Sequence, residues 1–186
     1  MGFKELEGIH SRTDYDLKRH EEFSGKKLQY FDPELNEHYT PFVVETSVGL
    51  DRLFLAILSA SYKNETLEDG SERVVLKIPA ALAPYKVAVM PLTKKDGLPE
   101  KAKEIIDELK YDFACQYDDK DSIGRRYRRQ DAIGTPFHVT VDHQTLEDNM
   151  VTIRDRDTML QERVNIADLH GIINEKVSLK KLLQKG

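Results

Sequence analysis

Between Lys86 and Arg156, segments with the pattern of strands alternate with segments with the pattern of helices, which restricts the fold more than any other sequence feature. Strands separated by helices predict an open α/β sheet. The predicted strands are Lys86–Leu92, Phe113–Tyr117, Phe137–Asp142 and Met150–Arg156. The predicted helices are Pro99–Lys110 (burying Ala102, Ile105, Ile106 and Leu109), Ile123–Ile133, Ile166–Glu175 and Ser178–Gln184, the last with Ser178 as its N-cap.

The sequence before this alternating region predicts a second, separate set of elements. Thr13 is a candidate cap for the first helix. The helix Leu50–Tyr62 is apolar almost all round and is expected to be deeply buried. The polar stretch Lys63–Glu72 is predicted to be a loop or linker. The other predicted elements are a strand over Glu5–His10, a helix over Asp14–Glu22, and the arms Lys27–Phe31 and His38–Glu45 of a hairpin.

The segment Val44–Ile57 carries the most distinctive group of polar residues. An apolar strand ends at Glu45 and Ser47, Gly49 follows, and Arg52 lies in the first turn of the helix. The carboxylate suits an ammonium group and the guanidinium suits a phosphate. A capped core helix with incidental polar residues is the alternative. Because an arginine at a helix N-terminus opposes the helix dipole, Arg52 favours an anion site such as a triphosphate.

Two arginine-rich segments indicate a local basic surface, although the formal net charge of the chain is −5. On a helix, Arg125, Arg128 and Arg129 fall on one face, with a tyrosine among them, which suits an RNA backbone with a base to stack. A solvated helix face paired with acids is the equal alternative. Arg154 and Arg156 alternate with aspartates along a strand, forming either a second contact surface or a salt-bridged edge.

Composition excludes several classes of protein. The apolar runs are too short to span a bilayer, so no membrane partner is expected. Cys115 is the single cysteine, which excludes an internal disulfide and a multi-cysteine metal site and indicates a reducing, cytoplasmic setting. Neither a P-loop nor a dinucleotide-binding glycine fingerprint is present. The six histidines lack metal-ligand spacing, so no metal ligands are predicted.

Glu45–Arg52 resembles motif 3 of class II aminoacyl-tRNA synthetases, and the chain as a whole resembles the C-terminal part of bacterial-type glycyl-tRNA synthetases. The resemblance implies that Glu45 and Ser47 recognise glycine, with Gly49 leaving no room for a larger side chain. It implies that Arg52 binds the ATP triphosphate. The other stretches that carry it are Glu5–Ile9, Arg12–Leu17, Ala83–Val89, Ser122–Tyr127 and Thr152–Asp157.

The remaining roles are also implied by the resemblance. Glu5 and Leu6 match the ATP-binding dipeptide, and Arg12 matches an arginine near the adenylate. The implied ATP set is Glu5, Leu6, Gly49, Leu50, Asp51 and Arg52, and the implied glycine set is Arg12, Glu45, Thr46, Ser47, Val48 and Gly49. Thr46 departs from the family, which usually has proline there. No residue of this chain is assigned as catalytic.

The resemblance implies two domains and the partners of a synthetase. Residues 1–81 would be a remnant of the class II antiparallel catalytic sheet. Residues 82–186 would be an anticodon-binding domain, a mixed sheet flanked by helices, with Arg125, Arg128, Arg129, Arg154 and Arg156 as tRNA-contact candidates. The parent enzyme would be a homodimer that uses glycine, a glycine tRNA and ATP with Mg2+, without DNA.

Motifs 1 and 2 are not found in this sequence, so the resemblance implies a fragment that does not form the adenylate and that holds no bound cofactor. A non-catalytic, synthetase-like nucleic-acid-binding accessory protein is the alternative. Such proteins usually lose active-site residues, whereas Glu45, Ser47 and Arg52 are retained. An uncovered strand edge near Val43 could pair with a second copy of the chain.

Overall fold

The computed structural model describes residues 5–184, and the chain divides into two compact units, Met1–Ile57 and Leu58–Gly186. We call them the first unit and the second unit. The predicted domain boundary lies after residue 81, whereas the division between the two compact units lies after residue 57, because the segment from residue 58 packs with the second unit. As a boundary between functional domains, it stays a prediction.

An antiparallel pair of strands forms the centre of the first unit. Strand β1 (Glu7–Thr13) pairs with β4 (Val43–Val48), and a small hairpin of β2 (Tyr30–Asp32) and β3 (Glu37–Tyr39) lies between them in sequence. Helix α1 (Tyr15–Ser24) follows Asp14, whose side chain makes no capping hydrogen bond. The predicted cap at Thr13 is wrong, because that residue ends β1 with a positive φ of 53°.

Helix α2 (Leu50–Ser61) forms where it was predicted, but the expectation that it is deeply buried is wrong. Leu50 is 76% exposed and Phe54 is 63% exposed. The apolar residues fix the helical pattern, whereas their burial depends on tertiary partners that local sequence does not specify.

The predicted linker Lys63–Glu72 is largely an antiparallel hairpin, which corrects that expectation. Strands β5 (Tyr62–Thr66) and β6 (Glu72–Leu76) pair from Tyr62 opposite Leu76 to Thr66 opposite Glu72. Only the connecting turn has loop chemistry, with Gly70 at a φ of 78°. In β6, Arg73 and Val75 are buried while their neighbours are not, which is the alternation of a half-buried strand.

The second unit contains the predicted mixed sheet flanked by helices, which confirms the fold class. Its strand order is β11-β10-β9-β7-β8, with β7 parallel to both β8 and β9, and with β10 antiparallel to β9 and β11. The strands are β7 (Val87–Pro91), β8 (Cys115–Tyr117), β9 (Phe137–Val141), β10 (Met150–Asp155) and β11 (Gln161–Asn165). The sequence patterns did not predict β11.

Helices α3 (Leu98–Leu109) and α4 (Ile123–Ile133) connect the parallel strands, and α4 has the predicted bounds. The remaining helices are α5 (Thr145–Asp148), α6 (Leu169–Val177) and α7 (Leu179–Leu183). The Ser178 hydroxyl accepts a hydrogen bond from the backbone N–H of Lys181, which confirms its predicted capping role. Short 3-10 turns cover Ala80–Leu82 and Ile166–Asp168.

The hydrophobic core of the second unit lies between the sheet and its helices. Strands β7 and β9 are buried along their whole length, as expected for the central strands of a parallel region. Helix α3 buries Leu98, Ala102, Ile105 and Leu109, whereas Ile106, also predicted to be in the core, is only partly buried. Full burial of such side chains supplies about 1.5–3 kcal/mol each, which makes this sheet a rigid support for the loops at its edges.

Candidate functional site

In the first unit, the register of β1 against β4 brings predicted glycine-site residues together. Glu45 lies opposite His10, and Ser47 lies opposite Gly8. Since alternate residues of a strand share a face, the Glu45 carboxylate and the Ser47 hydroxyl lie on one face of the ribbon. Thr46 and Val48 fall on the other face, so the structure does not bring their side chains to the same polar cluster.

Arg12 joins this cluster from the end of β1. Its Nε lies 3.7 Å from Oε2 of Glu45 and donates to Oδ2 of Asp16 at 2.8 Å. Asp16 and then Glu45 raise the pKa of the Arg12 guanidinium, and Arg12 lowers the pKa of the Asp16 carboxyl. The ribbon therefore presents a fixed cation beside the carboxylate that is predicted to take an ammonium group.

The predicted ATP residues come from two distant parts of the sequence, and the structure brings them together. Nη1 of Arg52 donates to the backbone carbonyl of Glu5 at 2.6 Å. The backbone N–H of Gly49 donates to the carbonyl of Leu6 at 3.3 Å. These bonds hold Glu5, Leu6 and the start of α2 in one place, with Leu50, Asp51 and Arg52 exposed on its first turn.

Gly49 does not create a steric limit by itself in the described part of the first unit. A Cβ added there would meet the side chain of Arg52 at 3.6 Å, an ordinary van der Waals distance. The predicted exclusion of larger substrates by Gly49 therefore stays a prediction.

In the second unit, the parallel strands end together at one edge of the sheet, which we call the carboxyl edge. Connections leave the end of β7 toward β8 on one side, and β9 lies on its other side, so this point is a topological switch where ligands bind in open α/β sheets. The loops at this edge are residues 92–97, 118–122 and 142–144.

Charged side chains are concentrated on the loops of the carboxyl edge. Nζ of Lys94 lies 3.4 Å from Oδ1 of Asp119, which joins the loops after β7 and β8. Lys95 and Lys120 are exposed on the same loops. The sequence patterns missed these three lysines, although their position directly after predicted strands was the available signal.

Helix α4 begins at the carboxyl edge, and its arginines have different surroundings. The side chain of Arg125 is 78% exposed and lies 3.7 Å from a carboxylate oxygen of Asp121. Arg126, by contrast, is buried, and its Nη1 donates to the backbone carbonyl of Pro91 at 2.6 Å. Arg126 thus ties α4 to the end of β7, while Arg125 extends into solvent.

Arg129 closes the loop between β8 and α4. It donates to both carboxylate oxygens of Asp118, at 2.9 and 3.1 Å, and to the backbone carbonyl of Lys120 at 2.9 Å. Burial works to raise the pKa of Asp118, but the hydrogen bonds from Arg129 and from the backbone N–H of Lys120, together with the charge of Arg129, outweigh it and the pKa is lowered. Arg129 therefore has a structural role at this edge in addition to its charge.

Arg128, which lies about 60° around α4 from Arg125, contacts the β5–β6 hairpin. Its Nη1 donates to the carbonyl of Glu72 at 2.8 Å, and its Nη2 donates to Oγ of Ser71 at 3.2 Å. The expectation that Arg125, Arg128 and Arg129 form one exposed basic face is therefore not what the structure shows, because two of the three bind other parts of the second unit.

Arg154 and Arg156 lie inside the second unit, with exposures of 5% and 2%. Arg154 donates to both oxygens of the buried Asp131, at 2.9 and 3.2 Å. Arg156 donates to the carbonyl of Gly134 and to the Asp157 carboxylate. Of the two interpretations of this strand, the salt-bridged one agrees with the geometry. Burial leaves these guanidinium groups no surface for an RNA phosphate.

Asp131 is the centre of a buried polar cluster. Besides Arg154, it forms an ion pair with Arg73 of β6, whose Nε lies 3.0 Å from Oδ2 of Asp131. The ring of His138 lies beside it, accepting from Nη1 of Arg154 at 2.8 Å and stacking on Tyr127 at a centroid separation of 5.5 Å. Burial, followed by the charge of Arg154, lowers the pKa of His138 to about 3, so the ring is neutral and serves as an acceptor.

The described residues also bear on two other possibilities, a metal site and a membrane-spanning helix. Within residues 5–184, histidine, cysteine, aspartate and glutamate side chains do not gather in any group of three or more that could hold a metal ion. In the same part of the chain, no helix has both the length and the apolar character to cross a membrane.

Part of the second unit is similar to a known family of protein domains. The family described as "Anticodon binding domain" matches residues 86–176. That region begins just before β7 and ends within α6, so it contains the whole five-stranded sheet and its carboxyl edge.

The chain is also similar to curated proteins that are named glycine–tRNA ligase. It is 54% identical to that of Chlorobaculum tepidum over 90% of the chain and 35% of the relative. It is 53% identical to that of Clostridium tetani over 95% of the chain and 38% of the relative. It is 48% identical to that of Borrelia hermsii over 95% of the chain and 40% of the relative. The chain thus spans well under half the length of these relatives.

Proposed function

Residues 86–176 of this chain belong to the anticodon-binding domain family, and from this premise we propose that the chain binds the anticodon stem-loop of a glycine tRNA. The family match is the observation that carries the proposal. The identity of about half of all aligned residues with glycine–tRNA ligases supports a glycine tRNA as the partner.

The carboxyl edge of the sheet is the proposed RNA-binding surface. It combines the topological switch point with exposed cations on two loops and on the first turn of α4. Lysines and arginines there can neutralise phosphates, which supplies most of the affinity of an RNA complex. Asp119, at the same edge and 30% exposed at its side chain, can accept hydrogen bonds from base amino groups.

Arg125 is the residue of this surface whose loss tests the proposal. Replacing Arg125 with alanine is expected to weaken binding of a synthetic glycine-tRNA anticodon stem-loop about three- to tenfold and to reduce the salt dependence by about one phosphate contact. Fluorescence anisotropy titrations of the labelled RNA at several KCl concentrations measure both quantities.

Lys110→Ala is the matched control, because it also removes one exposed positive charge from the second unit. Lys110 follows α3 at the opposite edge of the sheet and pairs with Asp107. Equal weakening by both substitutions would show a nonspecific charge effect and contradict the proposed surface. Failure of the unsubstituted chain to bind the stem-loop would contradict the proposed function itself.

We further propose that this chain by itself does not activate glycine. The relatives are glycine–tRNA ligases, but the chain spans only 35–40% of their length. The first unit supplies a carboxylate, a hydroxyl and two arginines, whereas adenylate formation depends on charged groups placed on all sides of the reacting phosphate. Motif 2, which the resemblance implies for the α-phosphate, is not found in the sequence.

The expected result is no glycine-dependent exchange of pyrophosphate into ATP by the purified chain, measured with labelled pyrophosphate. The full-length ligase of Clostridium tetani serves as the positive control in the same assay. Exchange by the chain above the level of a Glu45→Gln, Arg52→Ala variant would contradict this proposal.

A further inference from the structure

We propose that the β5–β6 hairpin is a positioning element for the RNA-binding edge, and that Arg128 is the residue through which it acts. The hairpin, Tyr62–Leu76, precedes the residues that match the anticodon-binding family. This inference rests on the proposed function, because the quantity it controls is the affinity for the anticodon stem-loop.

Arg128 makes two hydrogen bonds to the hairpin. One terminal nitrogen donates to the backbone carbonyl of Glu72, and the other donates to the hydroxyl of Ser71. The acceptors are held in place by the turn itself. The backbone N–H of Ser71 donates to the carboxylate of Asp69 at 2.9 Å, and its carbonyl accepts from the N–H of Leu67 at 2.9 Å. The guanidinium fork therefore meets a preorganised surface.

Two further contacts continue the attachment along the same face of α4. Asp131 lies three residues after Arg128 and pairs with the buried Arg73 of β6 at 3.0 Å. Gly134, three residues further, approaches β6 so closely that an added Cβ would lie 3.0 Å from the carbonyl oxygen of Leu76. Since residues three apart neighbour one another on a helix, β6 holds α4 from its middle to its end.

The side of α4 that lies away from Asp131 and Gly134 carries the proposed RNA contact. At 100° per residue, Arg125 and Arg129 fall on the side away from Asp131 and Gly134. Arg129 binds the loop after β8, and Arg125 is exposed beside it. The helix thus contacts both the hairpin and the loop after β8 at the carboxyl edge. Its rotation and axial position therefore determine the position of the Arg125 guanidinium.

Arg128 is expected to act through the position of α4 and not by touching RNA. Three variants separate these roles. Arg128→Ala should weaken binding of the anticodon stem-loop about three- to tenfold, since two hydrogen bonds are lost. Its salt dependence should stay unchanged, in contrast to that of Arg125→Ala, because returning α4 to its bound position costs free energy without changing the number of phosphate contacts. Arg128→Lys should weaken binding as much as the alanine variant, because an ammonium group keeps the charge but not the fork.

The hairpin side provides a matched variant. Ser71→Ala removes one of the two acceptors and should weaken binding by a smaller factor, with no additional loss when it is combined with Arg128→Ala. Amide hydrogen exchange within Tyr62–Leu76 should be faster in Arg128→Ala without any RNA present. This second readout reports the attachment of the hairpin independently of RNA affinity.

Two outcomes would overturn the inference alone. Recovery of binding by Arg128→Lys, together with a reduced salt dependence in Arg128→Ala, would show that Arg128 contacts a phosphate directly. Unchanged affinity in Arg128→Ala, while the unsubstituted chain binds, would remove the positioning role and leave the proposed function intact. Failure of the unsubstituted chain to bind would instead overturn the proposed function, and this inference with it.

Discussion

Replacing Asp131 with asparagine should lower the free energy of unfolding of the second unit by about 3–5 kcal/mol. The carboxylate is fully buried, accepts hydrogen bonds from Arg154 at 2.9 and 3.2 Å, and forms an ion pair with Arg73 at 3.0 Å. An asparagine keeps the shape but leaves two buried guanidinium groups without their shared anion. Urea denaturation followed by far-ultraviolet circular dichroism measures the loss.

Asp96→Asn is the control for that substitution. Asp96 also has a basic partner, with Nε2 of His143 3.0 Å from its Oδ2, but its side chain is 62% exposed. Because exposed pairs contribute about 0–1 kcal/mol, the control should unfold almost as the unsubstituted chain does. A loss below about 1 kcal/mol for Asp131→Asn would contradict the view that Asp131 is the anion on which this cluster depends.

Replacing Gly134 with alanine should cost about 2–4 kcal/mol of unfolding free energy. Gly134 ends α4 with a φ of 84°, where a side chain is strained. An added Cβ would also lie 2.9 Å from Cγ2 of Ile78 and 3.0 Å from the carbonyl oxygen of Leu76. The isoleucine side chain can shift, but the backbone carbonyl belongs to the paired strand β6 and cannot do so without disturbing the hairpin.

Gly70→Ala separates the two parts of this effect. Gly70 has a similar φ of 78°, but an added Cβ there meets no atom within 4 Å. Its substitution should therefore cost only the backbone strain, about 1–2 kcal/mol. Equal losses for both glycines, measured by thermal and urea denaturation, would show that the approach of α4 to β6 is not tight.

The sheet of the second unit could be predicted because its pattern is local. A continuous apolar run identifies β7, apolar residues at alternate positions identify β9, and the bounds of α4 follow from a helical pattern ended by glycine. Strand β11 was missed because its sequence, Gln161–Asn165, is mostly polar, and its place at the sheet edge depends on backbone pairing with β10. The β5–β6 hairpin differs from the predicted linker for the same reason, because its strands are held by backbone pairing.

The candidate sites divide in the same way. The resemblance to synthetases identified Glu45, Ser47 and Arg52, and the register of β1 against β4 then placed Arg12 beside Glu45. On α4, the sequence indicated a basic helix but not the partner of each arginine. Only the tertiary structure shows that Arg125 is exposed, that Arg128 binds the hairpin and that Arg129 binds the loop after β8.

The sequence by itself determined the α/β class, the resemblance of the second unit to anticodon-binding domains and the presence of arginine-rich segments, because periodicity and motifs are properties of neighbouring residues. Only the tertiary structure decided which arginines are structural. Arg154 and Arg156 have the same chemistry as Arg125, and they differ because carboxylates and carbonyls from distant parts of the chain surround them. An ion pair needs two residues that folding brings together. The sequence shows that each residue is charged, but it does not show which residue is its partner.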